Sequence, residues 1–329
     1  MITLVTGSGG FVGCNMCIYL LERGHGVVAT YRSSVPVGLK RMAERFAGKL
    51  HLVQGDLLDD DLYRKLEEFP VDSVMHAAVV TSTAASPLEV LVPMVNANII
   101  STTKLIDYSI RKRIKNFIYV SSAGVYGAVH PQGTVVPEDG PLDLYSTYAI
   151  TKRTCEQVTA KFGELAEAKA VSARVGAPYG PYERVTNSRV TMSPLYRLIG
   201  KAVRGEEARL YNPTVARDWT YIDDTIAGLY LLLTADRKQL RHTEYNLAAG
   251  VDYSLEELAQ AVAEVRPGFR YKFVDKPEDA EIRIVPDFGR GRLDLARLRD
   301  DTGFAPAFDL IAGVRKYYEH ELAYGEEEI

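Results

Sequence analysis

The chain has 329 residues, of which 47% are hydrophobic and 25% charged, and its formal net charge is −4. This composition is typical of globular proteins, and at this length it predicts one large α/β domain with a smaller companion. The chain has no basic excess, which disfavours a nucleic-acid partner, and its longest apolar stretches are far shorter than a bilayer span, which disfavours a membrane protein.

Short apolar strands alternate with helices over residues 1–175. The predicted strands are Ile2–Thr6, Gly26–Tyr31, Leu50–Gln54, Ser73–Ala77, Phe117–Ser121 and Ala168–Val175. The predicted helices between them are Phe11–Arg23, Leu39–Phe46, Asp59–Glu68, Met94–Lys112 and Tyr145–Phe162. Nearly continuous apolar strands joined by helices predict an α/β fold with a doubly wound parallel sheet.

The regular alternation breaks after residue 175, where residues 177–187 are rich in Pro, Gly and Tyr. The helices predicted beyond it are Ser193–Val203, Ile222–Leu233, Ser254–Ala263 and Ile311–Tyr324, with short strands between them. We therefore predict a first domain over residues 1–175, to which segments near 215–250 return, and a smaller α/β lobe over residues 176–329.

Metal ligands and a disulfide framework are not expected. Cys14 and Cys17 have the C-x-x-C spacing, but the sequence has one further cysteine and no second such pair. We interpret them as thiols packed in the first helix. The six histidines form no recognised ligand pattern, so we expect no metal.

The chain begins with a predicted strand and without a basic segment, so no secretory signal and a cytoplasmic location are expected.

A glycine-rich loop joins the first strand to the first helix, with Gly7, Gly10 and Gly13 spaced as G-x-x-G-x-x-G. Glycine permits a tight turn and close approach of the backbone to a phosphate, and a helix N-terminus supplies free N–H groups. The sequence therefore predicts that this loop, with Phe11 and Val12, binds the pyrophosphate of a nicotinamide dinucleotide in a domain of the Rossmann type.

The spacing T-G-x-x-G-x-x-G resembles the extended short-chain dehydrogenases/reductases, in particular the NAD(P)-dependent sugar-nucleotide epimerase/dehydratase family. The resemblance covers almost the whole chain and is weakest after about Gly250. It implies hydride transfer between a nicotinamide cofactor and a substrate bound by the second lobe. It also implies a homodimer held by a four-helix bundle of the helices Met94–Lys112 and Tyr145–Phe162.

The second strand ends in Tyr31, Arg32 and Ser33, without the carboxylate that would bind the ribose 2′-OH of NAD. Arg32 and Ser33 can both bind a phosphate, which favours NADP over NAD. The alternative is a solvated Arg32, with NAD held by other contacts.

His76, at the end of the fourth strand, is interpreted as a packed core histidine.

The resemblance implies further cofactor contacts. Asp56 and Leu57 match the adenine-contacting G-D-hydrophobic motif, although Asp56 could equally cap a helix, and Asn98 matches N-x-x-G-T, with Ser101 in place of the glycine. The additional cofactor residues predicted in this way are Asp56, Leu57, Ala77, Ala78, Asn98, Ser121 and Pro178.

Tyr148 and Lys152, four residues apart, lie on one face of a predicted helix. A tyrosine has a reference pKa of ~10, and lowering it by about three units requires ~4 kcal/mol, which a cation at ~4 Å can supply. We expect Lys152, helped by the nicotinamide charge, to do so. The resemblance of residues 121–127 to S-[ST]-x-x-V-Y-G implies that Ser122 positions the substrate oxygen and that Tyr148 moves the proton.

The substrate contacts implied by the resemblance are Ala123, Ala177, Arg217 and Arg292. Arg217 lies in R-D-W-T-Y-I-D-D, where relatives use the arginine to contact a diphosphate, although it could instead only pair with Asp218 or Asp223. Arg292 follows a Gly-Arg-Gly repeat that leaves its register open. Ala177 replaces an asparagine that often contacts the sugar nucleotide.

Three functions are weighed. The first is an epimerase or ketoreductase of a sugar nucleotide, and not a 4,6-dehydratase, since Ala123 and Gly124 stand where those dehydratases carry Asp and Glu. The second is an NADP-dependent dehydrogenase or reductase of a smaller alcohol or carbonyl compound, suggested by Ala177. The third, a non-catalytic dinucleotide sensor, is disfavoured because the Ser122, Tyr148 and Lys152 set is intact.

Overall fold

The computed structural model describes residues 1–81, 87–284 and 289–325. Its strands in chain order are β1 (Ile2–Thr6), β2 (Gly26–Tyr31), β3 (Leu50–Gln54), β4 (Ser73–His76), β5 (Asn116–Ser122), β6 (Val135–Val136), β7 (Lys169–Val175), β8 (Ala177–Tyr179), β9 (Ala208–Leu210), β10 (Ala216–Arg217), β11 (Trp219–Tyr221), β12 (Glu244–Leu247), β13 (Tyr253–Ser254), β14 (Tyr271–Phe273) and β15 (Arg292–Leu293). Its α-helices are α1 (Phe11–Glu22), α2 (Val37–Arg45), α3 (Asp60–Leu66), α4 (Pro87–Val95), α5 (Ser101–Arg111), α6 (Thr147–Leu165), α7 (Pro194–Arg204), α8 (Ile222–Thr234), α9 (Leu255–Val265), α10 (Ala296–Thr302) and α11 (Leu310–Tyr324).

The central sheet has seven strands in the order β12-β7-β5-β4-β1-β2-β3, and all its pairings are parallel. The predicted doubly wound parallel sheet is thus confirmed. Its last strand, β12, comes from the second half of the chain, where a returning segment was expected. From β1 the chain continues to β2 on one side, and from β4 it continues to β5 on the other side, so the strand order reverses between β1 and β4. The crevice between the carboxyl ends of these two strands is where such sheets bind ligands.

Apolar side chains cover both faces of the sheet. Val5 and Met75 face one layer, which includes buried α1 residues such as Cys14 and Cys17, whereas Leu4 and Val74 face the other. The two thiols have no exposed surface, in agreement with their interpretation as packing residues. Alternation of the strand side chains between two buried layers explains why the strands read as continuous apolar runs.

The predicted helix Met94–Lys112 is the main difference from the sequence-based prediction. The structure has instead α4, one turn of π-helix at Asn96–Ile100 and then α5. Pro93 lies inside α4 and lacks the N–H that a continuous ladder needs, and apolar periodicity does not reveal an inserted π turn. The predicted helix Tyr145–Phe162 begins two residues later, because Ser146 caps α6 by accepting a hydrogen bond from the Ala149 N–H.

No helix within the described ranges is long and apolar enough to span a bilayer. The same part of the chain contains no group of three or more His, Cys, Asp or Glu side chains arranged to hold a metal ion.

His76 is buried and forms hydrogen bonds with the Thr6 and Thr102 hydroxyls through its two ring nitrogens. Burial lowers its pKa to about 3, so the imidazole is a neutral core group, as the sequence predicted.

Candidate active site

The glycine loop closes the carboxyl end of β1 against the segment that follows β4. Gly7 has a φ of +71°, and a Cβ there would lie 2.6 Å from the Ala78 backbone. A Cβ on Gly13 would lie 2.3 Å from the Gly7 carbonyl oxygen. No side chain fits at either position, so the loop places bare backbone at the N-terminus of α1. The first N–H groups of that helix have no acceptor within the helix.

A cleft of about 370 Å³ runs from this loop to the carboxyl end of β5. The sequence-predicted residues that line it are Gly7, Gly10, Phe11, Val12, Gly13, Tyr31, Arg32, Ser33, Asp56, Leu57, Ala77, Ala78, Ser121, Ser122, Tyr148, Lys152 and Pro178. The glycine loop, the end of β2 and the proposed reacting groups therefore share one continuous surface.

Five sequence-predicted residues do not line the cleft: Asn98, Ala123, Ala177, Arg217 and Arg292. Asn98 is buried behind it, where its amide bonds the Val80 N–H and carbonyl and the Thr151 hydroxyl at 2.8–3.1 Å. This side chain ties the segment after β4 to α6, so it supports the cleft wall from behind.

Ser122, Tyr148 and Lys152 meet where β5 ends against the first turns of α6. The Ser122 hydroxyl accepts the Gly124 N–H at 3.0 Å and also hydrogen-bonds the Tyr148 phenol. Lys152 is buried and donates to the Val120 carbonyl at 2.6 Å. Its ammonium nitrogen lies 5.7 Å from the centre of the Tyr148 ring. The three side chains therefore cluster at one end of the cleft.

Burial and neighbouring charges have opposite effects on the pKa values in this centre. Burial raises the pKa of Tyr148, while the Ser122 hydrogen bond and the positive charge of Arg189 lower it. Burial also lowers the pKa of Lys152 to about 8, although Cys155 and Glu156 raise it. Burial thus opposes the lowering of the Tyr148 pKa that the sequence predicts for Lys152 and the nicotinamide charge together.

A segment of the second lobe, residues 182–193, crosses the cleft, and we call it the strap. The sequence did not predict its position. Thr186 and Arg189 exchange backbone hydrogen bonds and form a small hairpin. The backbone N–H and hydroxyl of Thr81, on the opposite wall, both donate to the Ser188 carbonyl, at 2.9 and 3.1 Å. Arg184, Thr186, Ser188 and Arg189 line the cleft. The Pro- and Gly-rich composition of residues 177–187 was the only sequence signal for this segment.

A carboxylate anchors the strap at its C-terminal end. The Glu183 side chain has no exposed surface and accepts the Ser193 N–H at 2.9 Å and the Ser193 hydroxyl at 2.6 Å. It also pairs with Arg189, whose guanidinium lies 5.6 Å from the centre of the Phe11 ring. Ser193 in turn caps α7. These contacts hold the strap between α7 and the glycine loop.

Two buried arginines lie beyond the reacting groups, at the second lobe. Arg217 is 7% and Arg290 9% exposed, and the Arg290 N–H donates to the carbonyl of Ala216 next to Arg217. The Arg290 Nε donates to the Gly127 carbonyl at 3.0 Å, and burial lowers the pKa of Arg290. Arg292, by contrast, is exposed on β15.

The residues present fit a dinucleotide. A Cβ at Gly7 or Gly13 would collide with neighbouring backbone, so both positions must be glycine. Their missing side chains let the backbone of the loop approach a phosphate closely. Buried Nε–H groups of Arg184 and Arg189 have no hydrogen-bond partner among the described residues, and both side chains line the cleft. Buried unpaired N–H donors beside a helix N-terminus suit the negatively charged oxygens of phosphate groups.

Comparisons with known proteins agree with this geometry. The model of the NAD dependent epimerase/dehydratase family matches residues 3–248. UDP-glucose 4-epimerase of Mycolicibacterium smegmatis is 26% identical over 97% of this chain and 98% of its own. dTDP-glucose 4,6-dehydratase of Xanthomonas campestris is 26% identical over 94% of this chain and 90% of its own.

The fold is shared with solved structures. A complex of UDP-glucose 4-epimerase with NAD from Thermus thermophilus superposes with a TM-score of 0.80, at 24% identity, over 97% of this chain and 98% of that one. This likeness extends over both the sheet and the second lobe.

Proposed function

The chain belongs to the NAD dependent epimerase/dehydratase family and is an enzyme of the extended short-chain dehydrogenase/reductase type, and we propose that it epimerises a nucleotide sugar by hydride transfer. The proposal depends on the meeting of Ser122, Tyr148 and Lys152 at one end of a cleft that fits a dinucleotide. A ketoreductase acting on the same class of substrate is the competing form of this proposal, and the relatives named above favour the epimerase.

Each member of the set has one role. A bound nicotinamide would supply the acceptor for a hydride from a substrate carbon and the donor that returns it. Tyr148 takes the proton of the attached hydroxyl and gives it back, and Ser122 donates a hydrogen bond to the same oxygen. Lys152, whose ammonium is fixed by the Val120 carbonyl 5.7 Å from the centre of the Tyr148 ring, stabilises the phenolate electrostatically. Together with the charge of the oxidised ring, it opposes the desolvation that raises the Tyr148 pKa.

Gly124 supports an epimerase rather than a 4,6-dehydratase. A Cβ at this position would lie 3.2 Å from the Ser122 hydroxyl and 3.4 Å from the Tyr148 ring. A carboxyl group at 124 would therefore project between the two groups, where an acid or base for water elimination is useful. Glycine offers no such group, although dehydratases are among the relatives of this chain.

We assign the substrate diphosphate to Arg217 and Arg290. Both guanidinium groups are buried on adjoining backbone segments, and buried arginines suit phosphate because they bind it through two parallel hydrogen bonds. Arg290 takes the place of the sequence-predicted Arg292, whose side chain is exposed.

The cofactor is assigned as NADP. Arg32 and Ser33 line the adenosine end of the cleft, and no carboxylate occupies the end of β2. The Arg32 guanidinium lies 3.8 Å from the Asp56 carboxylate, but the Arg32 side chain is 55% exposed, so this pair is weak and leaves Arg32 available to a phosphate.

The test is turnover without added cofactor. Purified protein is incubated with UDP-glucose, UDP-glucuronate and dTDP-glucose. The products are separated by chromatography, and their molecular masses are measured by mass spectrometry. An epimer of unchanged mass supports the proposal. A product lighter by one water shows a dehydratase, and turnover that appears only when NADPH is added, with stoichiometric consumption of it, shows a reductase. Tyr148→Phe should lose about 10²–10⁴-fold in rate, whereas Tyr271→Phe, which lies outside the cleft, should retain it.

A second candidate is the reduction of a smaller carbonyl compound that carries no nucleotide. Ala177 favours it, because this residue lacks the amide that often contacts a sugar nucleotide. Calorimetry separates the two: the epimerase proposal expects UDP or dTDP to bind, with the affinity reduced in Arg290→Leu. Lack of binding by either nucleotide would favour the smaller substrate.

A further inference from the structure

The adenosine end of the cleft contains a second cation that comes from the other lobe. The Arg184 Nη2 donates to the Gly9 carbonyl at 2.8 Å and to the Ser34 hydroxyl at 3.2 Å. These two residues are 175 and 150 positions away in the chain. The strap thereby joins the glycine loop to the segment that follows β2.

The charge of Arg184 is not used within the protein. Both of its acceptors are neutral, and among the described residues no carboxylate pairs with it. Arg189, the other strap arginine, is by contrast paired with the buried Glu183. The Arg184 Nε–H is also buried without an acceptor. A half-buried guanidinium with a free donor and no counter-charge is a site for an anion.

The neighbours of Arg184 decide which anion. Ser34 is its hydrogen-bond partner, and Arg32, Ser33 and Ser34 line the same part of the cleft. This segment follows β2, the strand whose end contacts the adenosine ribose in dinucleotide-binding sheets. Because Arg184 bonds Ser34 of this segment, we assign it to the ribose end of the cleft.

We propose that Arg184 of the strap binds the adenosine 2′-phosphate of NADP together with Arg32, and that this contact from the second lobe selects NADP over NAD. The inference rests on the proposed function only in that the protein uses a nicotinamide dinucleotide. Two guanidinium groups, one from each lobe, then share the phosphate, which neutralises its charge of about −2.

The test is dinucleotide affinity, measured by calorimetry on the full chain with NADP+, NAD+ and 2′,5′-ADP. Arg184→Leu should weaken NADP+ and 2′,5′-ADP by about 10- to 100-fold and leave NAD+ within about twofold, since only the first two carry the 2′-phosphate. Arg184→Lys should recover part of the loss. Arg204→Leu is the matched control, because Arg204 is exposed on α7 and its ion-pair partner in the described part of the chain is Glu206.

Three results would overturn the inference: unchanged NADP+ binding in Arg184→Leu, an equal loss for NAD+ and NADP+, or a wild-type preference for NAD+. The first and second leave the proposed hydride-transfer function intact. A wild-type protein that binds neither dinucleotide would instead overturn the proposed function itself. Coincident thermal unfolding of wild type and Arg184→Leu shows that a change in affinity is not a folding defect.

Discussion

Glu156 forms a two-point ion pair with Arg174 behind the active centre. Its Oε1 accepts from the Arg174 Nε at 3.0 Å and its Oε2 from Nη2 at 2.9 Å, and the two side chains are 0% and 2% exposed. The Ser121 hydroxyl donates to the same Oε1 at 2.6 Å. Because Ser121 precedes the proposed catalytic Ser122, this pair holds the end of β5 in place beneath the reacting groups.

We expect Glu156→Gln to lower the free energy of unfolding by about 3–5 kcal/mol, because it leaves the Arg174 charge buried without its counter-ion. Urea denaturation measures the change. Glu164→Gln on the same helix is the control, since Glu164 pairs with Lys161 at the surface, where an ion pair contributes little. Equal destabilisation by both substitutions would contradict the role assigned to burial.

The pH dependence of catalysis follows from Lys152, whose pKa burial lowers to about 8. The ammonium stabilises the Tyr148 phenolate only while it is charged, so its contribution is complete below pH 8 and is lost as the pH rises through 8. The pH profile of kcat/KM should fall there in the wild type. The fall should be missing in Lys152→Arg, whatever its residual rate, because arginine stays charged. The same fall in both proteins would exclude Lys152 as its cause.

The same group makes stability depend on pH, with the opposite direction. In the unfolded chain a lysine titrates near ~10.4, so between pH 8 and about 10.4 the unfolded state binds more protons than the folded state. The free energy of unfolding should therefore gain a favourable contribution from Lys152 as the pH rises through this window. Denaturant midpoints of wild type and Lys152→Met, measured across this pH window, isolate the contribution of Lys152, because the methionine variant lacks it.

The sequence predicted the parts of the site that depend on local patterns. Tyr148 and Lys152 are one helical turn apart, and Gly7, Gly10 and Gly13 are forced by a single turn, so residue type and spacing suffice to find them. The doubly wound parallel sheet followed from the alternation of strands and helices, because right-handed crossover connections leave few topologies.

The parts that the sequence did not predict depend on long-range contacts. Arg184 meets Gly9 across 175 residues, and no local spacing encodes that approach. Arg290 and Arg292 stand in the same Gly-Arg repeat, and only their backbone register decides that the first is buried and the second exposed. The break between α4 and α5 was missed because an apolar run continues through Pro93 and the π turn.

Asp218 joins the second lobe to the sheet and should be a stability determinant. Its carboxylate is 5% exposed and accepts the backbone N–H groups of Ala249, Gly250 and Leu293 at 2.9–3.1 Å. Asp218→Asn would point an NH₂ group at one or more of these donors, at a cost of about 1–3 kcal/mol. Asp275→Asn, at an exposed position, is the control in urea denaturation, and an equal loss in both would contradict the prediction.

Asp218 also gives stability a pH dependence. Burial raises its pKa to about 7, while the three backbone N–H groups and Thr220 lower it. An unfolded aspartate titrates near ~3.9, so between about pH 4 and 7 the folded state binds more protons, and the contribution of Asp218 to the free energy of unfolding falls as the pH rises through this window. Stability curves of wild type and Asp218→Asn between pH 4 and 8 should converge toward pH 7. Parallel curves would contradict the raised pKa.

The exposed face of α4 predicts a homodimer. Leu88 and Val92 are 82% and 62% exposed and lie on one helical face, and Ile150 on the adjoining α6 is 48% exposed. A contiguous apolar patch of this kind marks an interface, and in a closed dimer each copy presents it to the other. The expected interface thus centres on α4, N-terminal to the helix that the sequence indicated.

Light scattering after gel filtration should give twice the chain mass of 36.5 kDa for the wild type. Leu88→Glu combined with Val92→Glu should give the monomer mass, because two buried carboxylates without partners would face each other across the interface. Leu165→Glu is the matched control. Leu165 is 76% exposed but lies at the far end of α6, fifteen residues or roughly 22 Å along the helix from Ile150. A monomeric wild type, or dissociation by Leu165→Glu alone, would place the interface elsewhere or remove it.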